Sequence, residues 1–328
     1  MGKKSQREEE LVPLVRSWAR ALKAGTAGKK KAPASPYTVR NYLKSVHKLA
    51  SWLDERELPT TVTAVEGDDV TDWLQEIAEA TSNHNALHHY RNVKSFWSWV
   101  VREKLLSAGE DPMLEVEKPH PEDVRRPPLS QEEVSALLRT CERTGFRETR
   151  DAAIIRTLAD TGMRVGGLLG LRWSSEHPGL DNKGRNDVFL DHDPPLIRLR
   201  LKGGAVHFVD IAPRTATAID RYLRNRAKHR LADDPALWLG YRGGGFTRGG
   251  VQGMLNRRAE RVGIAESVHP HRFRRSMATW HIGAGGSPDS LMARAGWVND
   301  QMIRLYISDS RDRLAWQESQ RLGIANHL

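Results

Sequence analysis

Four residues between positions 160 and 310 combine side-chain types that could together act on a phosphate ester. Arg164 and Arg274 carry guanidinium groups, which stay charged and can each donate two parallel hydrogen bonds to a phosphate. His271 has a ring that titrates near neutrality, so it can accept a proton or bind a phosphate oxygen. The phenol of Tyr306 can attack phosphorus as it loses its proton. These types suit cleavage of a phosphodiester, which needs a nucleophile and stabilisation of the charge on the non-bridging oxygens.

A lone tyrosine in a helical pattern is more often a core or surface residue, and an arginine in a basic chain is usually a surface charge. The order of the surrounding segments argues against that interpretation. The segments are TGMRVGGLLGLRW with Arg164, LRLKGGAVHF with Lys202, HPHRFRR with His271 and Arg274, AGW with Trp297, and LYI with Tyr306. This order resembles the tyrosine recombinases, the phage integrase family that includes lambda integrase, Cre and the Xer proteins. The family pattern has a His or Trp nine positions before the tyrosine, and Trp297 and Tyr306 have this interval.

The resemblance implies a role for each of these residues. Tyr306 attacks the DNA backbone, and Arg164 and Arg274 clamp the scissile phosphate. His271 accepts the tyrosine proton or binds a phosphate oxygen. Lys202 precedes a glycine pair that is typical of a hairpin turn, and the resemblance assigns it the protonation of the leaving 5′ oxygen.

Trp297 has two possible roles, because an indole N–H can donate one hydrogen bond to a phosphate oxygen and an indole ring can also pack in the core. Its place is one where many relatives have His and some have Trp. Arg272 and Arg275 are interpreted as surface charges or plain contacts to the DNA backbone. His269 is a weaker candidate than His271, because no arginine follows it three residues later.

Gly167 departs from the family pattern, which usually has an acidic residue three places after the first arginine. Two alternatives stay open, and the missing carboxylate bears on the first. One is a DNA-binding accessory protein that keeps the fold while its catalysis decays. The other is a type IB topoisomerase, which shares the Arg, Lys and Tyr chemistry but is disfavoured by the first helical segment and the short tail after Tyr306.

The resemblance also implies the partners and the reaction course. The partners are double-stranded DNA core sites, a homotetramer on synapsed DNA, and possible accessory proteins. The enzyme forms a 3′-phosphotyrosine with a free 5′ hydroxyl and exchanges strands through a Holliday junction. No cofactor or metal is expected, because each broken phosphodiester is stored as a phosphotyrosyl ester of similar energy. Leu314, Trp316 and residues 322–324 are expected to dock on a neighbouring protomer.

The composition agrees with an acidic polyelectrolyte as partner. The formal net charge is +10 at pH 7, and clustered Lys and Arg can release counterions from phosphates. No apolar run is long enough to cross a bilayer and the start lacks a signal peptide, so a soluble, cytoplasmic, DNA-associated protein is expected. Cys141 is the only cysteine, which excludes an internal disulfide and favours a small apolar filler.

The elements that must position these residues fall into two domains. The sequence predicts a mainly α fold, with a helical bundle over 1–115, a proline-rich linker over 116–128, and an α+β domain with a C-terminal tail over 129–328. The resemblance implies that the first domain is a core-binding (SAM-like) domain that binds DNA and that the second is the catalytic domain. Four helices are predicted in the first domain, one beginning at residue 11, one containing Val39 to Leu53, one capped by Asp69 and one preceded by Ser82.

The second domain is predicted to be mainly helical with one inserted sheet. Ser130 and Glu133 form a capping box for its first helix, and Thr247 caps a later one. Short strands are predicted at 187–190, 197–201 and 207–211, as a small antiparallel sheet. His84 and His88 have a zinc-compatible spacing, but no third ligand is evident and metal binding is not expected.

Overall fold

A computed structural model of the chain describes residues 10–27, 32–122, 127–200, 204–241 and 243–297, together with Ser319 and Gly323. The chain divides into two compact units, Met1–Val124 and Arg125–Leu328. Each unit has its own apolar core. The two units are therefore described separately.

The first unit is a helical bundle around one apolar core. Its helices are α1 (Leu11–Ala24), α2 (Pro36–Asp54), α3 (Gly67–Ala80) and α4 (Asn83–Arg102), and short 3₁₀ turns follow at Ala108–Glu110 and Pro112–Leu114. Aromatic rings fill the centre, where Trp18 stacks on Tyr42 at 5.4 Å and meets Phe96 edge-on at 5.2 Å. The four helices predicted for this part are confirmed, and Ser82 caps α4 as expected.

The start of α3 differs from the prediction. The N-cap is Glu66, and Asp69 is the third residue of the helix rather than its cap. The Asp69 carboxylate accepts a hydrogen bond from the Glu66 backbone N–H at 3.0 Å. An acidic side chain can satisfy a free amide at the helix start from the third position as well as from the cap, so Asp69 marks the beginning of α3 from inside the helix.

The second unit combines helices with one small sheet. Its helices are α5 (Gln131–Arg139), α6 (Phe146–Thr161), α7 (Val165–Leu169), α8 (Pro213–Arg226), α9 (Arg248–Arg261), α10 (Pro270–Gly283) and α11 (Pro288–Ala295). The capping box of Ser130 and Glu133 is confirmed, with bonds of 3.1 and 2.7 Å. Thr247 also caps α9 as predicted, since its hydroxyl accepts from the Gly250 N–H at 3.0 Å.

The sheet has three antiparallel strands in the order β1 (Val188–Phe189), β2 (Leu196–Arg200) and β3 (Val206–Asp210). β2 and β3 pair from Leu196 with Asp210 to Arg200 with Val206. The predicted strands lay one residue later, and β1 is shorter than predicted. The ladder begins at the pair of Leu196 with Asp210, and the buried Ile197 and Val209 face each other next to it. The predicted fold class, mainly helical with a small antiparallel sheet in the second part, is confirmed.

A buried ion network joins α6 to α9. Asp151 accepts hydrogen bonds from the Arg150 Nε and Nη2 at 3.1 and 2.9 Å, and from the Arg258 Nε and Nη2 at 3.0 and 2.6 Å. All three side chains are buried. Because α9 begins with Arg248, this network fixes the helix that presents Arg248 to the site described below.

Cys141 lies in the core of the second unit, as predicted for a small apolar residue. Its thiol donates a weak hydrogen bond to the Leu137 carbonyl at 3.6 Å. Burial raises the pKa of the Cys141 thiol, which therefore stays protonated at neutral pH.

Among the described residues, no helix is both long enough and apolar enough to cross a bilayer. In the same part of the chain, no group of three or more His, Cys, Asp or Glu side chains could hold a metal ion. The His88 ring instead lies 3.1 Å from the Asn92 Nδ2.

Candidate active site

Arg164 is presented by the tight turn between α6 and α7. α6 ends at Gly162, whose φ of 58° lies in the left-handed region that glycine favours. A Cβ at this position would lie 2.5 Å from the Met277 Cε and 3.3 Å from the Arg274 Cα, so α10 approaches the turn closely only because residue 162 has no side chain. Arg164 is the N-cap of α7 and is exposed. The turn therefore brings Arg164 next to the helix that carries Arg274.

His271 and Arg274 lie on one face of α10, because residues three apart in a helix are neighbours. Arg274 is buried, and its Nη1 donates to the Gly162 carbonyl at 2.8 Å while its Nη2 donates to the Ala295 carbonyl at 3.3 Å. These two carbonyls belong to the turn before Arg164 and to the end of α11. The guanidinium of Arg274 thus joins three segments of the site.

Trp297 follows directly on the C-terminal cap of α11. Gly296 has a φ of 61°, and the Trp297 N–H donates to the Met292 carbonyl at 3.0 Å, so the chain folds back over the helix end. The indole ring packs in a small core with Met277 and is 7% exposed. The Arg274 Cζ lies 4.7 Å from the ring centroid, which is within cation–π distance. Trp297 therefore combines core packing with direct contact to Arg274.

Three arginines lie close enough to His271 for their charges to change its pKa. Burial lowers the pKa of His271, and the positive charges of Arg274, Arg164 and Arg248 lower it further. The ring is therefore neutral at neutral pH and can accept a proton. The structure brings together four of the six predicted site residues: Arg164, His271, Arg274 and Trp297.

Arg248 is a site residue that the sequence analysis missed. It begins α9, and its Nη2 would lie 3.9 Å from a Cβ built on Gly166, two residues after Arg164. The predicted cap at Thr247 was the available signal, because the residue after a cap lies at a helix start, where anions bind. The chain has 51 Lys and Arg residues, so being an arginine did not by itself mark Arg248 as a candidate site residue.

Lys202 and Tyr306 lie outside the described residues, as do Leu314, Trp316 and the rest of the predicted docking tail. Strands β2 and β3 flank Lys202 in the sequence. Gly167 lies in α7, and a Cβ there would meet the Leu199 Cδ2 at 3.6 Å, an ordinary contact.

The interpretation of Arg272 as a surface charge or DNA contact is wrong. Arg272 is buried, and it pairs with Glu266 at 2.8 Å and donates to the Pro127 carbonyl at 2.9 Å. Residues two apart in a helix point in nearly opposite directions, so Arg272 leaves α10 away from Arg274. Its contacts tie the start of the second unit to α10. His269 is the N-cap of α10 and accepts from the Arg272 N–H at 3.2 Å.

Comparisons with known proteins agree with this geometry. The model of the phage integrase family matches residues 128–313, which is more than half of the chain. Tyrosine recombinase XerC of Myxococcus xanthus is 26% identical over 303 residues, covering 90% of this chain and 92% of that protein.

Two solved structures have a similar fold. The XerH site-specific recombinase bound to a palindromic difH substrate has a TM-score of 0.64 at 14% identity, covering 97% of this chain and 98% of that one. A lambda integrase tetramer bound to a Holliday junction has a TM-score of 0.63 at 14% identity, covering 89% of this chain and 76% of that one. The predicted resemblance to the tyrosine recombinases is confirmed, and the chain belongs to the phage integrase family.

Proposed function

We propose that this protein is a site-specific DNA recombinase that cuts and rejoins DNA through a 3′-phosphotyrosine at Tyr306. The observation that carries the proposal is the convergence of Arg164, His271 and Arg274 in the second unit. These are the groups needed to bind a scissile phosphate and to accept a proton. The family match extends to residue 313 and therefore includes Tyr306. The relatives and solved structures reported above are recombinases and an integrase, and they give no support to the topoisomerase alternative.

The proposed chemistry is an exchange of one phosphate ester for another. The Tyr306 phenol oxygen attacks the scissile phosphorus, a tyrosyl–phosphorus bond forms, and the bond from phosphorus to the 5′ oxygen breaks. The phenol proton passes to the neutral His271, and Lys202 protonates the leaving 5′ oxygen. The guanidinium groups of Arg164 and Arg274 neutralise the charge on the non-bridging oxygens. A 5′ hydroxyl from the partner strand then attacks the phosphotyrosine and releases Tyr306.

Arg248 is assigned to the same phosphate-binding group. Its charge acts on His271 together with those of Arg164 and Arg274. A third cation near the scissile phosphate would raise the local attraction for the DNA backbone. It would also keep His271 neutral, and so ready to accept the tyrosine proton.

The first unit is proposed to bind DNA through one face of α2 and α4. The two helices contact each other where the Asn92 Nδ2 donates to the Ser45 Oγ at 2.8 Å. Neither residues 36–53 nor residues 83–102 contain Asp or Glu, whereas α3 carries five acidic residues and no Lys or Arg. The exposed basic and imidazole side chains on α2 and α4 are Arg40, Lys44, His47, Lys48, His84, His88, Arg91, Lys94 and Arg102. Such a face suits contact with phosphates at a DNA core site.

The working assembly is proposed to be a homotetramer on two synapsed core sites, as in the lambda integrase tetramer on a Holliday junction. The tail that contains Leu314 and Trp316 is proposed to join neighbouring protomers, with accessory proteins as possible further partners. The protein is proposed to act on DNA in the cytoplasm.

The test is covalent capture on a suicide DNA substrate, with a core site located as inverted repeats around a short spacer. The wild-type chain should form a covalent adduct, and Tyr306→Phe should form none while binding the site normally, because only the nucleophilic oxygen is lost. Tyr241→Phe is the matched control, because Tyr241 is an exposed tyrosine of the same unit that stacks on Arg147. An adduct from Tyr306→Phe would place the nucleophile elsewhere, and DNA binding without any wild-type adduct would favour the accessory-protein alternative.

A further inference from the structure

We infer that an ion-pair cluster of Asp160, Arg294 and Asp210 positions Arg274, one of the two arginines of the phosphate clamp, together with the Trp297 ring that it contacts. The inference rests on the proposed function, because it takes Arg274 to hold the scissile phosphate. The three residues come from α6, α11 and β3, which are separate elements of the second unit. None of them belongs to the sequence pattern that indicated the site.

Arg294 is the centre of the cluster. Its Nη1 donates to both Asp210 carboxylate oxygens at 2.6 Å, and its Nη2 donates to the Asp160 Oδ1 at 2.7 Å. The second oxygen of Asp160 accepts from the Ala212 backbone N–H at 2.7 Å. One guanidinium and two carboxylates therefore tie α11 to the last turn of α6 and to the end of β3.

The cluster is sheltered enough to hold these elements firmly. The Arg294 side chain is 21% exposed and that of Asp160 is 13% exposed, whereas Asp210 is 52% exposed. The link between Asp160 and Arg294 should therefore be the stronger of the two, because an exposed pair gains little in water. Both Asp160 oxygens are occupied, which fixes the orientation of that carboxylate.

The backbone of α11 near the cluster leads directly to the clamp. The Arg294 carbonyl accepts from the His207 Nε2 at 3.2 Å, and the next carbonyl, that of Ala295, accepts from Arg274. A Cβ on Gly296 would lie 3.2 Å from the His207 ring, so β3 packs closely on the helix end that precedes Trp297. A shift of α11 would therefore move the carbonyl that orients Arg274 and the ring beneath its guanidinium.

The cluster also gives a physical account of the departure at Gly167. Position 167 faces Leu199 of β2, so an acidic side chain there would approach the sheet from α7. In this chain the carboxylates of Asp160 and Asp210 secure the other strand, β3, instead. The site therefore keeps carboxylates that hold its elements together, at positions that the family pattern does not mark.

The test uses the full chain and compares two suicide substrates. One has an ordinary scissile phosphate, and the other carries a methyl group in place of one non-bridging oxygen. The neutral methylphosphonate has less charge for a guanidinium to stabilise, so a damaged clamp should matter less on it. Arg294→Ala should slow covalent cleavage of the ordinary phosphate by roughly ten-fold or more, and of the methylphosphonate by about three-fold or less.

Three further variants sharpen the comparison. Arg294→Lys should recover part of the rate, because an ammonium keeps the charge but lacks the two separate nitrogens with which the guanidinium reaches both carboxylates. Arg224→Ala should leave both rates unchanged, because Arg224 forms an exposed pair with Asp220 in the same unit. Arg274→Lys is the benchmark for the clamp itself and should show the same substrate dependence as Arg294→Ala. The inference would be overturned if Arg294→Ala slowed both substrates equally while Arg274→Lys slowed the ordinary phosphate more than the methylphosphonate.

A second measurement separates this inference from the proposed function. Hydrogen exchange of the free protein should become faster in peptides of β3 and α11 in Arg294→Ala, and should stay unchanged in α2 and α4. If Arg274→Lys slows both substrates equally, the proposed clamp is wrong, and the exchange data still decide whether the cluster holds α11. Unchanged exchange in β3 and α11 would refute the cluster's role whatever the cleavage rates are.

Discussion

Replacing Asp151 with asparagine should destabilise the second unit by about 3 kcal/mol, because it removes the carboxylate that pairs with two buried guanidinium groups, those of Arg150 and Arg258. Loss of one partner of a buried ion pair typically costs about 3–5 kcal/mol. The lower end applies here, since the Arg150 and Arg258 Nη1 atoms keep their bonds to the Leu239 and Thr140 carbonyls at 2.9 and 2.6 Å. The asparagine oxygen can also still accept a hydrogen bond.

The assay is native-state hydrogen exchange of α6 and α9 peptides, which reports the opening free energy of this unit separately from the first. The control is Asp220→Asn, which breaks the exposed pair with Arg224 at 2.7 Å and should cost no more than about 0.5 kcal/mol. A loss below about 1 kcal/mol for Asp151→Asn would refute the reasoning, since it would mean that the two guanidinium groups do not depend on the carboxylate.

Two further predictions concern protons. Burial, followed by the charges of Lys48, His88 and Lys44, lowers the pKa of His89 from 6.5 to about 4. The unfolded chain therefore takes up this proton first, so the stability of the first unit should fall by at most about 3 kcal/mol as the pH drops from about 6.5 to about 4. In urea unfolding at several pH values, His89→Gln should lack this component, and an identical pH dependence in both proteins would contradict the assignment. Lys202→Ala should slow cleavage of ordinary DNA far more than of a 5′-phosphorothiolate substrate, whose thiolate leaves without a proton; equal slowing would mean that Lys202 binds phosphate instead.

The helices could be predicted because their signals are local. The capping box of Ser130 and Glu133 and the cap at Thr247 depend on neighbours three residues away, and both form as expected. The error at Asp69 has the same local origin, because a carboxylate can stabilise a helix start from two positions. Local signals therefore gave the elements correctly, with their ends uncertain by a few residues.

The contacts that assemble the site could not be predicted in the same way. Arg272 and Arg275 are the same residue type one helical turn apart on α10, yet Arg272 is buried against Glu266 and Arg275 is only half-buried. Arg294 meets Asp160 and Asp210 across 134 and 84 residues of sequence. No spacing rule relates such positions, because their proximity follows only from the packing of α11 on β3 and α6.

The single buried cysteine has a practical consequence for experiments on this protein. Because Cys141 is the only thiol in the chain and burial raises its pKa, it should react slowly with maleimides at neutral pH. A cysteine introduced at an exposed position outside the proposed DNA-binding helices, such as Gln75 on α3, would then be the dominant labelling site. A fluorophore could be attached there without first removing the native residue, and the arrival of the first unit on DNA could be followed in single molecules.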